Sequence, residues 1–273
     1  MSWWAVDVET APEQRETVGA WLVARTGQAV EERDDGILVT FAESERGADE
    51  LIEALGRTHG ARATRRPLEN VDWSVRWRDG IEPRRFGRLT VTPTWIPAPA
   101  GGVSVVLDPE SAFGSGEHGS TRAALTLLER HLRPGDRVLD LGSGSGILAI
   151  AAVKLGAARA TGIEVDDDAN DIARVNAERN GVSDAVEFLT GDAGDLAPLA
   201  GPADLLLSNI LRNVNTALLP SIATALRPRG FAIFSGMEVA EAPLFRPALE
   251  ESGFASVDEV TDAGWWAVAA RQE

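Results

Sequence analysis

The sequence predicts an α/β protein in which a larger, mostly parallel sheet with helices on both faces follows a smaller α/β module. From Pro134 onward, short apolar runs alternate with helix-like runs, as in a parallel sheet covered on both faces. The first 67 residues follow the order strand, helix, strand, strand, helix, strand. Between them, Trp73 and Trp77 lie four apart, a helical spacing. We therefore predict a domain over 1–67, a linker helix over 68–80 and a second domain over 81–273.

In the first module, the run WWAVDVE alternates like a strand, and Pro12–Arg25 carries apolar residues at helical spacing. Two strands around the Asp-Asp-Gly turn at residues 34–36 form a predicted hairpin. A helix over Ala48–Thr58 and a closing strand, ARATRRPLE, complete the pattern. This order is typical of a split βαβ, ferredoxin-like module.

The second domain begins irregularly and then becomes periodic. Gly102–Leu107 is strand-like, whereas VTPTWIPAPAGG before it is predicted to be irregular or at a sheet edge, because proline cannot continue a ladder. The predicted strands are DRVLDL, RATGIEVD, AVEFLTGD, ADLLLSN and GFAIFSG, and the predicted helices are ILAIAAVKLGA, Asp168–Arg179, Asn213–Leu226 and Glu241–Ser252. The closing strands ASVDEVT and WWAVAAR are too close together for a crossover helix, so one is expected to be antiparallel.

Composition limits the possible functions. The net charge of −16 argues against general affinity for nucleic acid and suits a basic partner. There is no cysteine, and the three histidines, His59, His118 and His131, lack a metal-ligand spacing, so we predict no metal. No apolar run is long enough for a membrane span, and the start lacks the order of a signal peptide. We therefore expect a cytoplasmic protein without membrane contact.

Two glycine-rich stretches are candidates for ligand binding. LDPESAFGSGEHGSTR, residues 107–122, comes close to the phosphate loop G-x-x-x-x-G-K-[ST], but Ser120 stands where the lysine is required. LGSGSG contains Gly142, Gly144 and Gly146, whereas a dinucleotide fingerprint requires its third glycine at Ile147. The tighter G-x-G-x-G loop lets the backbone pass close to a ligand, although the same glycines also suit an ordinary strand-to-helix turn.

Polar residues end the three strands that follow this loop. Glu164 ends the second strand, where an acid can accept hydrogen bonds from two ribose hydroxyls. Asp192 ends the third strand, where a carboxylate suits an adenine amino group, and Asn209 ends the fourth. Each residue alone is more often a helix cap or turn former. Their occurrence at consecutive strand ends favours a ligand site.

These motifs resemble those of S-adenosyl-L-methionine-dependent methyltransferases with a seven-stranded, Rossmann-like sheet. More closely, LDPESAFGSGEHGSTR, LGSGSGILAIAAVKLGA, NAERNGV and SNIL resemble the ribosomal protein L11 methyltransferase (PrmA) family. That family has the pattern LDPGxAFGTGxHxTT, then a glycine loop, a second-strand acid and AN-I/L. VDWSVRWRDGIEP resembles its linker, and the first module resembles its substrate-recognition domain. The likeness is strong in the second domain and weak over residues 1–65.

The resemblance implies an enzyme that methylates lysine side-chain, and possibly N-terminal, amines of ribosomal protein L11, free or on the ribosome. We also expect a monomer without direct sequence-specific nucleic-acid contact. The implied cofactor is S-adenosyl-L-methionine, and the residues implied to bind it are Thr121, Gly142, Gly144, Glu164, Asp192 and Asn209. The stretch at 107–122 is then a lid that holds Phe113 and His118 beside the methyl-transfer site. The chain departs from the family pattern at Ser115, Gly119, Ser120 and Glu164, where threonine, proline, threonine and aspartate are usual.

The segment after the fourth strand favours an amine as the methyl acceptor. Methyltransferases that act on adenine or on glutamine amides have the motif [ND]-P-P-[YF] at this position. This chain does not resemble them there, because it has Ser208-Asn209-Ile210-Leu211. An amine needs alignment and loss of a proton, for which water or a weak base is sufficient. His118 is either that base or a residue that orders the loop. Two other functions stay open: a related methyltransferase acting on another protein or a small amine, and a non-catalytic binding module that retains the fold.

Overall fold

A computed structural model describes residues 3–26, 30–33, 36–67, 82–99, 101–107 and 116–273. The chain divides into two compact units, Met1–Gly80 and Ile81–Glu273. The predicted linker helix over 68–80, the Asp-Asp pair of the predicted hairpin turn and Phe113 lie outside the described residues.

The first unit contains a four-stranded antiparallel sheet and two helices. Its elements are β1 (Trp4–Glu9), a 3-10 turn (Pro12–Gln14), α1 (Arg15–Thr26), β2 (Glu31–Glu32), β3 (Leu38–Ala42), α2 (Glu45–His59) and β4 (Arg62–Pro67). The strand order β2-β3-β1-β4 is that of the predicted split βαβ module. Val6 and Val8 of β1 share one face of the sheet, and they form a buried core with Leu22 of α1 and Leu55 of α2.

The second unit is built around a seven-stranded sheet. Its strands are β8 (Arg137–Leu141), β9 (Arg159–Glu164), β10 (Val186–Thr190), β11 (Ala203–Asn209), β12 (Leu226–Glu238), β13 (Phe254–Asp262) and β14 (Trp265–Gln272), in the order β10-β9-β8-β11-β12-β14-β13. The first five strands in this order, β10, β9, β8, β11 and β12, are parallel to one another. β14 runs antiparallel to both its neighbours, which confirms the prediction for the closing pair.

Helices cover both faces of this sheet. They are α3 (Gly119–His131), α4 (Ile147–Leu155), α5 (Asp167–Arg179), α6 (Ala193–Ala200), α7 (Arg212–Ala225), a 3-10 turn (Val239–Glu241) and α8 (Ala242–Glu251). Side chains alternate along a strand, so Val138 of β8 belongs to a core with α3, α4 and α5, and Leu139 to a core with α6, α7 and α8. The predicted helices agree with the described ones to within three residues at either end.

Two segments of the second unit differ from the prediction. VTPTWIPAPAGG is predicted to be irregular or at an edge, but its first residues belong to β6 (Leu89–Pro93), the central strand of a small sheet with β5 (Arg84–Phe86) and β7 (Val103–Leu107). Pro93 is the last residue of β6, so its missing N–H does not interrupt the ladder. The sequence also predicts no helix before ADLLLSN, whereas α6 lies there; its eight residues and internal Pro198 give little helical signal.

Within the described ranges, no helix combines the length and the apolar composition needed to cross a membrane.

Candidate functional site

The loop from β8 to α4 holds three glycines in left-handed conformations. The φ angles of Gly142, Gly144 and Gly146 are 66°, 49° and 77°, a region that favours glycine. A Cβ added to Gly142 would lie 2.5 Å from Cγ2 of Ile210, and one added to Gly146 would lie 2.7 Å from Cζ of Phe188. The backbone conformation therefore favours glycine at all three positions, and close neighbours leave no room for a Cβ at Gly142 and Gly146.

The substitution Gly142→Ala is expected to lower the free energy of unfolding more than Gly135→Ala does. Gly135 also has a positive φ of 89°, but its added Cβ would meet no atom within 4 Å. Both variants carry the cost of a left-handed alanine, about 1–2 kcal/mol. Only Gly142→Ala also forces a β-branched neighbour to move, which adds about 1–3 kcal/mol. Equal losses in urea denaturation would contradict the close packing of Ile210 on this loop.

Asp140 is the penultimate residue of β8, just before the loop, and is 1% exposed. Its Oδ2 accepts a hydrogen bond from the backbone N–H of Ala149 at 3.1 Å, while its Oδ1 is buried without a hydrogen-bond partner. Burial raises the pKa of Asp140 to about 7; the hydrogen bond from Ala149 opposes this shift, and the nearby charge of Glu164 adds to it. The sequence did not mark Asp140 as a candidate, although its position before a glycine loop was the available signal.

Glu164 reaches from the end of β9 to the glycine loop. Its Oε2 accepts the N–H of Gly144 at 3.0 Å, and its Oε1 accepts those of Val165 at 2.8 Å and Asp166 at 3.2 Å. The carboxylate therefore stands beside the loop. Backbone donors hold both of its oxygens.

Asn209 ends β11, beside the glycine loop, because the preceding Ser208 pairs with Leu141 of β8. The Nδ2 of Asn209 donates to Oγ1 of Thr121 at 3.2 Å, a contact between residues 88 positions apart. Its Oδ1 is buried without a hydrogen-bond partner. The structure thus brings together two predicted site residues from the end of β11 and the first turn of α3.

Asp192 lies at the far side of this edge, two residues beyond β10. Its Oδ1 accepts the N–H of Gly194 at 2.7 Å and caps α6. Helix capping is the alternative role that the sequence indicates for a polar residue at a strand end. Because β10 pairs with β9, with Thr190 opposite Glu164, Asp192 also belongs to the same edge as the other candidates.

His118 occupies the cap position before α3. Its Nδ1 lies 2.8 Å from Oγ of Ser120, and its ring centroid lies 4.3 Å from that of Trp265, with an angle of 57° between the planes. Burial, with a smaller contribution from the charge of Arg122, lowers the pKa of His118. This shift favours the neutral imidazole.

Several buried asparagines that the sequence did not single out support the site. Asn176 of α5 donates to the carbonyl of Ser145 in the glycine loop at 3.0 Å. Asn180 binds both backbone groups of Val106, accepting at 2.8 Å and donating at 2.7 Å, and so ties β7 to the end of α5. Asn215 of α7 donates to the carbonyl of Ile210, which follows β11, and to that of Ser235 in the neighbouring strand β12. Asn176 and Asn180 both belong to the NAERNGV motif, which is their only signal in the sequence.

The polar atoms left without a partner at this edge indicate a ligand. Oδ1 of Asp140, Oγ of Ser143 and Oδ1 of Asn209 are all buried, and each lacks a hydrogen bond. Buried polar groups are almost always hydrogen-bonded, so unpartnered ones around an open glycine turn point to a polar molecule that completes them. Among the described residues, no group of three or more histidine, aspartate or glutamate side chains is arranged to hold a metal ion.

Comparison with known proteins gives the family. The family model for ribosomal protein L11 methyltransferase (PrmA) matches residues 29–273. The ribosomal protein L11 methyltransferase of Pelotomaculum thermopropionicum is 38% identical, covering 88% of this chain and 79% of its own. That of Deinococcus radiodurans is 35% identical, covering 93% and 92%.

A crystal structure of ribosomal protein L11 methylase from Lactobacillus delbrueckii subsp. bulgaricus matches with a TM-score of 0.63 and 30% identity, over 71% of this chain and 99% of that one. The match confirms the predicted fold class. S-adenosyl-L-methionine, the predicted cofactor, is the methyl donor, and the chain belongs to the ribosomal protein L11 methyltransferase (PrmA) family.

Proposed function

We propose that this methyltransferase transfers methyl groups from S-adenosyl-L-methionine to lysine side-chain amines of ribosomal protein L11. The observation that carries the proposal is the arrangement of residues at the end of β11 and directly after it. Asn209 is joined there to Thr121, one of its oxygens is buried and unpartnered, and Ile210 and Leu211 follow. Nothing in this segment supplies an aromatic face for a planar base or amide. The segment therefore suits an aliphatic amine.

The residues at the carboxyl edge fit the cofactor. The unpartnered atoms of Asp140, Ser143 and Asn209 offer hydrogen bonds to a polar ligand. When bound, S-adenosyl-L-methionine supplies a methyl group on a sulfonium, which is already activated for displacement. The residues that we propose to hold it are Thr121, Gly142, Gly144, Glu164, Asp192 and Asn209. In this assignment Glu164 offers its carboxylate to the ribose hydroxyls, as acids at the end of the second strand do in related folds.

The acceptor amine must lose its proton before it can attack, because a lysine ammonium has a pKa of ~10.4. His118 stands at the entry to α3, but its lowered pKa makes it a weak proton acceptor for so basic a group. Its contacts with Ser120 and Trp265 hold the segment in place. We therefore propose that His118 orders the loop and that water removes the proton. Phe113 is proposed to cover the bound cofactor or substrate.

The variant His118→Asn tests this role. Asparagine suits the cap position before a helix and can keep a hydrogen bond to Ser120. If His118 orders the loop, kcat stays within about tenfold of the wild-type value, below the loss of about 10²–10⁴-fold expected when a general base is removed. A fall in that larger range, with loss of the acidic limb of the kcat–pH profile, would identify His118 as the base.

Recognition of the ribosomal protein is proposed to lie in residues 1–67. This segment has its own buried core, and all the candidate cofactor residues lie in the other unit. A basic ribosomal protein is attracted by the net charge of −16, which accelerates encounter at low ionic strength. We propose a cytoplasmic monomer that meets its substrate free or on the ribosome.

Mass spectrometry of purified ribosomal protein L11, incubated with the enzyme and S-adenosyl-L-methionine, tests the proposed function. Methyl groups mapped to lysine side chains are the expected result, and the Asn209→Ala enzyme is the matched control. Methylation of a different protein or of a small amine, with ribosomal protein L11 unmodified, would favour the related-methyltransferase alternative. A chain that binds no S-adenosyl-L-methionine would be a non-catalytic binding module.

A further inference from the structure

We propose that Arg122 is a positioning residue: it fastens the β13–β14 turn to the start of α3 and thereby fixes His118 and Thr121 at the site. The roles of His118 and Thr121 at the site rest on the proposed function. The contacts themselves all lie within the second unit.

Arg122 makes three contacts from the first turn of α3. Its Nε donates to Oδ2 of Asp262 at 3.0 Å, and its Nη2 donates to the other oxygen of the same carboxylate. Its Nη1 donates to the backbone carbonyl of Glu117. The planar guanidinium can bridge a carboxylate and a carbonyl at once because its donors are fixed in a fork, whereas a lysine ammonium cannot reproduce that geometry.

The turn that Arg122 binds runs from Asp262 to Trp265, which face each other across β13 and β14. Its two central residues, Ala263 and Gly264, have φ angles of 46° and 84°, so the reversal is tight. Left-handed conformation is unfavourable for alanine, and such local strain is retained where the surrounding structure holds it in place. The turn thus presents the Asp262 carboxylate and the Trp265 ring side by side.

The same turn contacts the two residues at the start of α3. The Trp265 ring lies against the His118 ring, 4.3 Å between centroids. A Cβ added to Gly119 would lie 2.6 Å from the carbonyl oxygen of Asp262 and 2.7 Å from Cδ1 of Trp265. Gly119, where the family usually has proline, therefore leaves the space that the turn occupies. The β13–β14 turn therefore contacts His118, Gly119 and Arg122.

A second ion pair holds Glu117, the residue before His118. Arg84 of β5 donates to both carboxylate oxygens of Glu117, with Nε at 2.9 Å from Oε1 and Nη2 at 2.6 Å from Oε2. Glu117 is thus held by Arg84 through its side chain and by Arg122 through its carbonyl. The charge of Arg122 acts on His118, and Arg122 in turn interacts with Asp262, Arg84 and Glu117.

This arrangement controls the site because the first turn of α3 also carries Thr121, which accepts from Asn209. A displacement of that turn moves His118 and Thr121 together relative to the glycine loop. Partly exposed ion pairs contribute only about 0–1 kcal/mol to stability, whereas a misplacement of about 1 Å can cost about 10²-fold in rate. We therefore expect loss of the Arg122 contacts to lower kcat much more than stability.

Kinetics of Arg122→Lys and Asp262→Asn test the proposal, with Arg246→Lys as the matched control. Arg246 of α8 makes a bidentate ion pair with Glu259 of the same strand β13, at 3.0 and 2.7 Å, away from the site. We expect kcat for methylation of the ribosomal protein to fall about tenfold or more in the first two variants, with KM and Tm near wild type. Arg246→Lys is expected to keep wild-type kcat. Wild-type kcat in both site variants, or an equal loss in the control, would overturn the proposal.

Proton NMR of the His118 ring provides a second measurement that needs no substrate. The ring current of Trp265 shifts the His118 ring resonances, and the other two histidines serve as internal references. We expect this shift to diminish in both Arg122→Lys and Arg122→Met. The pKa of His118 is expected to rise only in Arg122→Met, because lysine keeps the nearby positive charge. An unchanged ring-current shift in both variants would overturn the proposal, whereas a wild-type enzyme that left ribosomal protein L11 unmodified would refute only the proposed function.

Discussion

Replacing Asn209 by alanine is expected to weaken binding of S-adenosyl-L-methionine about 10- to 100-fold. The side chain offers the cofactor a buried oxygen that has no other partner, and its amide fixes Thr121 at 3.2 Å. Removing one partner of a buried hydrogen bond costs about 1–3 kcal/mol, and about 1.4 kcal/mol corresponds to tenfold in affinity. Calorimetric titration of the cofactor into the wild type and the variant measures the difference.

The matched control for this variant is Asn213→Ala, four residues along the chain. Asn213 is exposed in the first turn of α7, so its removal is expected to leave cofactor affinity unchanged. Glu164→Ala is expected to weaken binding as well, because it removes the carboxylate at the end of β9. Unchanged affinity in both Asn209→Ala and Glu164→Ala would refute the assignment of the cofactor site.

Deletion of residues 1–65 is expected to abolish methylation of ribosomal protein L11 while sparing cofactor binding. The first unit has a core of its own, formed by residues such as Val6, Leu22 and Leu55, and the two cores of the second unit contain none of them. Every candidate cofactor residue lies in the second unit. The truncated chain should therefore keep the site and lose the surface that captures a large substrate.

Two measurements on the truncated chain check this expectation. Calorimetry should give a cofactor affinity close to that of the full chain, and mass spectrometry should find the ribosomal protein unmodified. A truncated enzyme that still methylates intact ribosomal protein L11 would show that recognition lies outside residues 1–65. Loss of cofactor binding would show instead that the second unit depends on the first for its stability.

The parallel sheet and its ligand edge could be predicted because both leave local signals. Apolar runs such as ADLLLSN are typical of strands buried on both faces, and in the structure Leu205 and Leu206 enter opposite cores. Glu164 and Asn209 each end a strand, and because these strands are parallel their carboxyl ends meet at one edge of the sheet. The glycine loop could be predicted for the same reason, since positive φ angles restrict those positions to few residues.

The contacts that complete the site could not be predicted, because they join residues far apart in sequence. No spacing rule links Asn209 with Thr121, or Asp262 with Arg122, 140 positions away. The carboxylate of Glu164 shows a related limit: its place at the strand end follows from the sequence, but its hydrogen bond to Gly144 depends on the fold of the loop. The sequence does not predict α6, because the internal proline disfavours a helix although Asp192 can cap it.

Cofactor binding at the carboxyl edge of β8, β9 and β11 is tested most directly by a crystal structure of the chain with S-adenosylhomocysteine, the product of methyl transfer. We expect the ligand to contact Gly142 and the side chains of Glu164 and Asn209. In that complex, Oδ1 of Asn209 should have a hydrogen-bond partner. Density for the ligand elsewhere on the chain, with these three residues untouched, would contradict the proposed site.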